Sequence, residues 1–205
     1  MHWIWSFVAG LTGQRLKVRE GGSGANLHLT FDDGPHVENT PRLLDVLAEH
    51  QATATFFLLG NHAKAHPELV ERIVREGHRI ANHSMTHPNF RTLSPAQQLK
   101  EIALADAVLT PFDGRAHHAF RPPRGNATVT TIATAILRRE QPLVLWNVDS
   151  YDFKLPEAEL RQRLAQYQPR GGDILLFHDD MPATVVALRE FLPRWRQAGF
   201  TLSAV

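Results

Sequence analysis

Short apolar runs alternate with amphipathic stretches from residue 27 onward, and this alternation constrains the fold more than any other feature of the sequence. Runs at 27–31, 53–59, 79–81, 119–121, 143–148, 174–177 and 200–203 are rich in β-branched and aromatic residues and read as strands. Helical patterns fill the gaps. The first opens with Thr40 as N-cap and Pro41 at the first helical position. The others are expected at 67–75 with Gly77 as stop, from Ser94-Pro95 to about 109, at 128–139, at 156–167, and at 182–197 with a bend or break near Pro193. Strand–helix alternation implies a parallel sheet with helices outside it. The expected class is therefore α/β, either a (β/α) barrel of the TIM type or an open doubly wound sheet. Both place chemistry at the C-terminal ends of the strands.

Composition narrows the function classes. At 205 residues the chain suits one main domain, expected at 25–205. Gly21-Gly22-Ser23-Gly24 separates it from residues 1–24, which read as a tail or an extra strand. A net charge of +1 leaves no electrostatic footprint for nucleic acid. No apolar run is long enough to span a bilayer, and a monomer is expected. The first residues carry Trp3, Ile4, Trp5 and Phe7 but no preceding Lys or Arg and no clear small-residue cleavage site. They do not read as a signal peptide, which favours the cytoplasm. Cysteine is absent, which excludes disulfides and thiolate chemistry and leaves the redox compartment open. Twelve histidines form a reservoir of metal ligands, although His28, His36, His62, His78, His117 and His118 are given structural roles.

Five strand ends each carry ionisable or rigid polar motifs. They are Asp32-Asp33-Gly34-Pro35, His83-Ser84-Met85-Thr86-His87-Pro88, Arg121-Pro122-Pro123-Arg124-Gly125, Asp149-Ser150-Tyr151-Asp152-Phe153 and Leu176-Phe177-His178. Each alone has a bland reading: a solvated turn, a coincidental His pair on one side of a helical turn that Pro88 ends, a rigid loop, a cap, a satisfied core histidine. Those readings would have to hold independently at every strand end. The chemistry is coherent instead. Two histidines and one carboxylate leave an open position on a catalytic Zn²⁺, which can acidify a bound water and polarise a carbonyl. The neighbouring second carboxylate can serve as general base, with Arg121 as its partner. His178 can protonate a leaving nitrogen, with Asp149 to orient it.

With these motifs in this order, the chain from about residue 27 onward resembles the polysaccharide deacetylase family, the NodB-homology or carbohydrate esterase 4 family. The resemblance implies a distorted, TIM-barrel-like (β/α) barrel of about seven parallel strands and hydrolysis of the N-acetyl group of an amino sugar in a glycan. It implies Asp32 as catalytic base, Arg121 orienting it, and Asp33, His83 and His87 as ligands of one divalent ion, Zn²⁺ or else Co²⁺, Ni²⁺ or Mn²⁺. It further implies His178 as acid tuned by Asp149, the backbone N–H of Arg124 as oxyanion donor, and Pro123, Arg124, Phe153 and Leu176 around the substrate. Two positions depart from the family pattern: Arg124 stands where Tyr is common, and Phe153 where Trp is usual. Competing readings are a metal-dependent amidase for a non-sugar or lipid-linked substrate, a non-haem Fe(II) enzyme using the Asp/His/His set, and a glycan-binding protein. The last would be signalled by loss of the base or of a ligand, and none is missing.

Overall fold

The computed structural model describes residues 16–17, 24–137 and 142–205. The strands are β1 (Leu16–Lys17), β2 (Asn26–Asp32), β3 (Thr55–Leu58), β4 (Arg79–Asn82), β5 (Leu143–Val144), β6 (Val148–Asp149), β7 (Asp173–His178) and β8 (Thr201–Ser203). The helices are α1 (Asn39–Glu49), α2 (Gly60–Ala65), α3 (Pro67–Arg75), α4 (Pro95–Asp113), α5 (Val129–Leu137), α6 (Glu157–Gln166) and α7 (Pro182–Gln197). Every strand pairing is parallel, in the order β4-β3-β2-β7-β6, with β8 beside the first residues of β2. Phe120 bridges Asn82 of β4 to Leu143 of β5, and the chain then runs from β5 into β6, which pairs with β7. The strands thus close on themselves as a distorted barrel, the α/β architecture expected from the sequence. β1 lies parallel to β5. The expectations for residues 1–15 and 18–23, and for the end of the helix at 138–139, fall outside the described residues.

The side-chain period of two sorts the strands into an outer and an inner face. Leu27, Leu29 and Phe31 of β2, Phe56 and Leu58 of β3, and Leu175 and Phe177 of β7 join Leu43, Leu44, Leu47, Leu188 and Phe191 in the layer between strands and helices. Phe57, Ala81, Val144 and Ile174 form a separate cluster inside the barrel. Thr30 and Asp32 share the inner face with them, since both contact the buried Arg121. Register then sets the site: Asp32 of β2 stands opposite His178 of β7, and Asp149 of β6 opposite Leu176.

Several local expectations are corrected. Thr40 is not an N-cap; α1 begins at Asn39, and the Thr40 hydroxyl donates to Asp179 while accepting the His36 N–H. Residues 119–121 make single bridges and no strand, because Pro122 and Pro123 lack the N–H groups a ladder needs. The run at 143–148 splits into β5 and β6. Between them the Asn147 side chain replaces backbone in the ladder, accepting the Ile174 N–H and donating to Asp173. His83 to His87 form no helical turn; Ser84 (φ 76°) and His87 (φ 58°) are both left-handed. α4 runs on to Asp113, and α7 is undivided at Pro193. α2 was not anticipated at all. Among the described residues no helix is long and apolar enough to cross a membrane.

Candidate active site

A cavity of about 540 Å³ opens at the C-terminal ends of the strands, lined by Asp32, Asp33, His83, His87, Arg124, Trp146, Asp149, Phe153, Leu176, His178, Asp180 and Met181. Almost every residue singled out in the sequence lines it. Arg121 lies behind the wall and Pro123 is buried beside Arg124. A second cavity, of about 610 Å³, lies towards the strand starts at Thr55 and Arg79 and has no Asp or Glu in its wall.

Asp33, His83 and His87 converge on one point. Asp33 Oδ1 lies 3.4 Å from His83 Nε2 and 3.5 Å from His87 Nε2. Donors about 2.1 Å from a tetrahedral ion are separated by roughly 3.4 Å, so the spacing is that of ligands around one metal. Asp33 Oδ1 is buried with no hydrogen-bond donor, an orphaned acceptor that a cation would satisfy. His83 Nδ1 lies 2.8 Å from the Arg121 carbonyl, which fixes that nitrogen as donor and turns the Nε2 lone pair towards Asp33. Burial holds the His83 pKa down at about 3, so the ring is neutral, as a ligand must be. The backbone is bent to reach this geometry. Asp33 has φ 72°, and Gly34 packs so closely on Asp179 that a Cβ there would lie 2.1 Å from Asp179 Oδ2.

Beside this group, Asp32 is buried against Arg121. Arg121 Nη1 donates to Asp32 Oδ1 (2.7 Å) and to Thr30 Oγ1 (2.9 Å). Nε and Nη2 donate to the carbonyls of Val144 and Leu145, and the guanidinium stacks 4.0 Å over Phe57. A fully buried guanidinium with this many acceptors is a rigid clamp on one carboxylate oxygen. Burial raises the Asp32 pKa above its ordinary value although Arg121 opposes the shift, which moves the carboxylate towards the range of a general base.

On the facing wall, His178 corrects the sequence reading. Its Nδ1 bonds to Asp152 Oδ1 at 2.7 Å, not to Asp149. Asp152 also accepts the His178 N–H (2.7 Å), the Thr184 hydroxyl (2.5 Å) and the Phe153 N–H (2.9 Å). Burial pushes the His178 pKa down, but the hydrogen bond and charge of Asp152, with Asp32 and Asp33 beyond, push it up further, to about 9. Asp149 instead accepts the Tyr151 N–H at 2.9 Å and points its carbonyl at Arg163. The motif held two aspartates three apart, and only the partner of His178, invisible in one dimension, separates them. Trp146, Asp180 and Met181 were missed. Asp180 follows His178 closely enough to have been included, whereas Trp146 lies inside what read as a continuous strand. Arg124 sits at φ 58°, and its N–H has no backbone acceptor among the described residues. Gly125 leaves room for Trp146, since a Cβ there would lie 2.7 Å from the indole.

A closed parallel barrel with a metal-binding triplet, a buried carboxylate and an imidazole around one strand-end cavity defines a hydrolase class. The chain itself belongs to the polysaccharide deacetylase family, whose model matches residues 20–137, more than half its length. It is 34% identical to a chitooligosaccharide deacetylase of Sinorhizobium fredii over 93% of this chain and 95% of that one. It is also 34% identical to a peptidoglycan-N-acetylglucosamine deacetylase of Bacillus cereus, over 96% of this chain and 70% of that one. Among solved structures, a peptidoglycan N-acetylglucosamine deacetylase superposes with a TM-score of 0.87 at 30% identity, covering 96% of this chain and 94% of that one.

Proposed function

We propose that the chain hydrolyses the N-acetyl group of an amino sugar in a glycan. One observation carries the reading: a family member has its ligand triplet, its Arg-clamped carboxylate and its Asp-held imidazole facing one cavity. Asp33, His83 and His87 would hold one divalent ion, of which Zn²⁺ best suits the oxygen–nitrogen donor set. Bound there, such an ion supplies Lewis acidity to a carbonyl and acidifies water. Asp32 takes the proton of the attacking water on Oδ2, because Oδ1 is engaged by Arg121. In this reading the Arg124 N–H donates to the oxygen that becomes negative. His178 delivers a proton from Nε2 to the leaving nitrogen, since Nδ1 is committed to Asp152. The C–N bond then breaks to give acetate and the free amine. Leu176, Phe153 and Trp146 supply apolar wall around the acyl group and the sugar, with the buried Pro123 supporting Arg124.

The test is acetate release from N-acetylglucosamine oligomers and peptidoglycan fragments, with Zn²⁺, Co²⁺, Ni²⁺ or Mn²⁺ added. Release that depends on metal and is lost in Asp32→Asn is expected. Release from simple N-acetyl amides alone, and from no glycan, would replace this reading with a non-sugar amidase.

A further inference from the structure

A polar cluster behind the ligand triplet takes no part in the chemistry described above. Asn82, Ser84, Asp106 and His118 are all buried, and hydrogen bonds link them in a chain from α4 to His87. Asp106, on α4, accepts at Oδ1 from Asn82 Nδ2 (2.7 Å) and from the His118 N–H (3.3 Å). His118 Nδ1 lies 3.2 Å from the same oxygen, and its Nε2 lies 3.1 Å from Asp113 Oδ1. Asp106 is thus anchored independently of Asn82. Asn82 Nδ2 also donates to the Ile102 carbonyl (2.9 Å), which leaves Asn82 Oδ1 to accept the Ser84 N–H (2.8 Å). Ser84 Oγ in turn accepts the His87 N–H (3.0 Å).

The turn that this relay holds is strained. Ser84 (φ 76°) and His87 (φ 58°) are left-handed, and such residues persist only where their surroundings over-determine them. From one side, the Gly60 and Asn61 N–H groups of α2 hold the Ser84 and Met85 carbonyls at 3.0 Å, and Glu101 accepts the Thr86 N–H at 2.8 Å. The relay takes the N–H groups of Ser84 and His87. The second of these matters most. His83 is oriented through its ring, by the Arg121 carbonyl at Nδ1, whereas Nδ1 of His87 has no protein partner among the described residues. The His87 imidazole is therefore placed by its backbone, and the backbone by Ser84.

We propose that Asp106 is a positioning residue for the metal: acting through Asn82 and Ser84, it fixes the turn that presents His87 to the ion. This rests on Asp33, His83 and His87 as the ligand set. Asp106 touches neither the ion nor the substrate. The Asn82 amide has to donate at one end and accept at the other, so the carboxylate sets which way it faces as well as where it sits. A ligand held at the right place before the ion arrives loses little freedom on binding it, and outer groups of this kind govern affinity nearly as strongly as the ligands do. A buried polar network is costly when only partly satisfied, which gives the relay a purpose that packing alone does not supply.

Zn²⁺ and Co²⁺ are the probes. Competition with a chromophoric chelator measures affinity, the visible absorption of bound Co²⁺ reports ligand geometry, and melting with chelator present reports folding. His87→Ala is the control for the ligand set and should lose most of the affinity. Asp106→Ala and Ser84→Ala break the relay at its two ends. Each should weaken Zn²⁺ binding about 10- to 100-fold and change the Co²⁺ spectrum. Asp106→Asn keeps an oxygen for Asn82 and His118 and should retain both the affinity and the spectrum. A lower melting temperature in Asp106→Ala, with affinity and spectrum unchanged, would make Asp106 merely structural and overturn the proposal. If Asp106→Ala does not fold, Ser84→Ala decides, and unchanged affinity there overturns the relay. Wild-type affinity in His87→Ala would instead overturn the ligand set on which the relay rests.

Discussion

Asp32 and Asp33 are neighbours with opposite environments, and the difference assigns their work. Asp33 offers a buried oxygen with no donor to a pair of imidazole nitrogens, whereas Asp32 is gripped by a buried guanidinium. Asp33→Asn should therefore release the metal, measured by elemental analysis, and activity with it. Asp32→Asn should keep the metal and lose about 10²-fold or more of turnover. Equal metal loss in both would refute the division. The same logic applies to His178. With its pKa held at about 9, the imidazolium is present below that pH and lost above it, so the alkaline limb of kcat/KM should lie near 9. Asp152→Asn removes the group that raises the pKa, and the limb should move to lower pH; Asp149→Asn should leave it in place. His178→Ala should cost roughly 10²–10⁴-fold on an amide, whose leaving amine needs a proton, and much less on an activated ester. Similar losses on the two substrates would remove His178 from the acid role.

At the scale of elements, the site is built where strands stop, and the stops depend on close backbone approaches. The β2 turn passes against Asp179 at Gly34, where any Cβ would overlap the carboxylate. Gly34→Ala should thus cost about 1–3 kcal/mol and lower the melting temperature by several degrees, and it should weaken metal binding because Asp33 precedes it. An unchanged melting curve would show that the turn can yield. The elements themselves were largely legible in the sequence. α3 and α7 occupy their expected spans, and Ser94 and Gln97 form the capping box that opens α4. What was not legible depended on partners distant in sequence. Thr40 has the composition of an N-cap, but Asp179, 139 residues away, claims its hydroxyl. Residues 143–148 are apolar enough for one strand, yet pairing with Phe120 at one end and β7 at the other requires a break between. Asp149 and Asp152 differ only in which one meets His178 across the barrel.

Across the whole molecule, the buried titratable groups set how stability responds to pH, and their signs differ. His83 and His78 are held neutral, chiefly by burial, with pKa values lowered to about 3 and about 4. In the unfolded chain they would titrate near 6.5. Their contribution is complete above that pH and is lost as pH falls from 6.5 through 4 and then 3. Asp179 and His178 act in the other direction. Burial raises Asp179 to about 8, with the charges of Asp180 and Asp33 adding to the rise and Thr40 opposing it. Its contribution is complete below about 4, where the unfolded carboxyl is also protonated, and is lost as pH climbs to 8. That of His178 is lost between about 6.5 and 9. Below pH 6.5 the histidines are opposed by Asp179 and by the raised Asp32 and Asp180, whereas above it Asp179 and His178 act in one direction, so the metal-free protein should lose stability from about pH 6.5 towards 9. Asp179→Asn isolates one group: the amide is a neutral isostere of the protonated acid, and its carbonyl can still accept the Thr40 hydroxyl. Melting temperatures of wild type and variant, both with chelator, should nearly coincide at pH 4. They should separate in favour of the variant as pH rises, and the gap should level off above pH 8. At about 1.4 kcal/mol per pKa unit the full separation is at most on the order of 6 kcal/mol, reduced by whatever water reaches the carboxylate once it ionises. A gap that stayed constant from pH 4 to 9 would mean that Asp179 is ionised in the folded protein throughout, and that the buried carboxylate oxygen facing no donor is stabilised by something other than a proton.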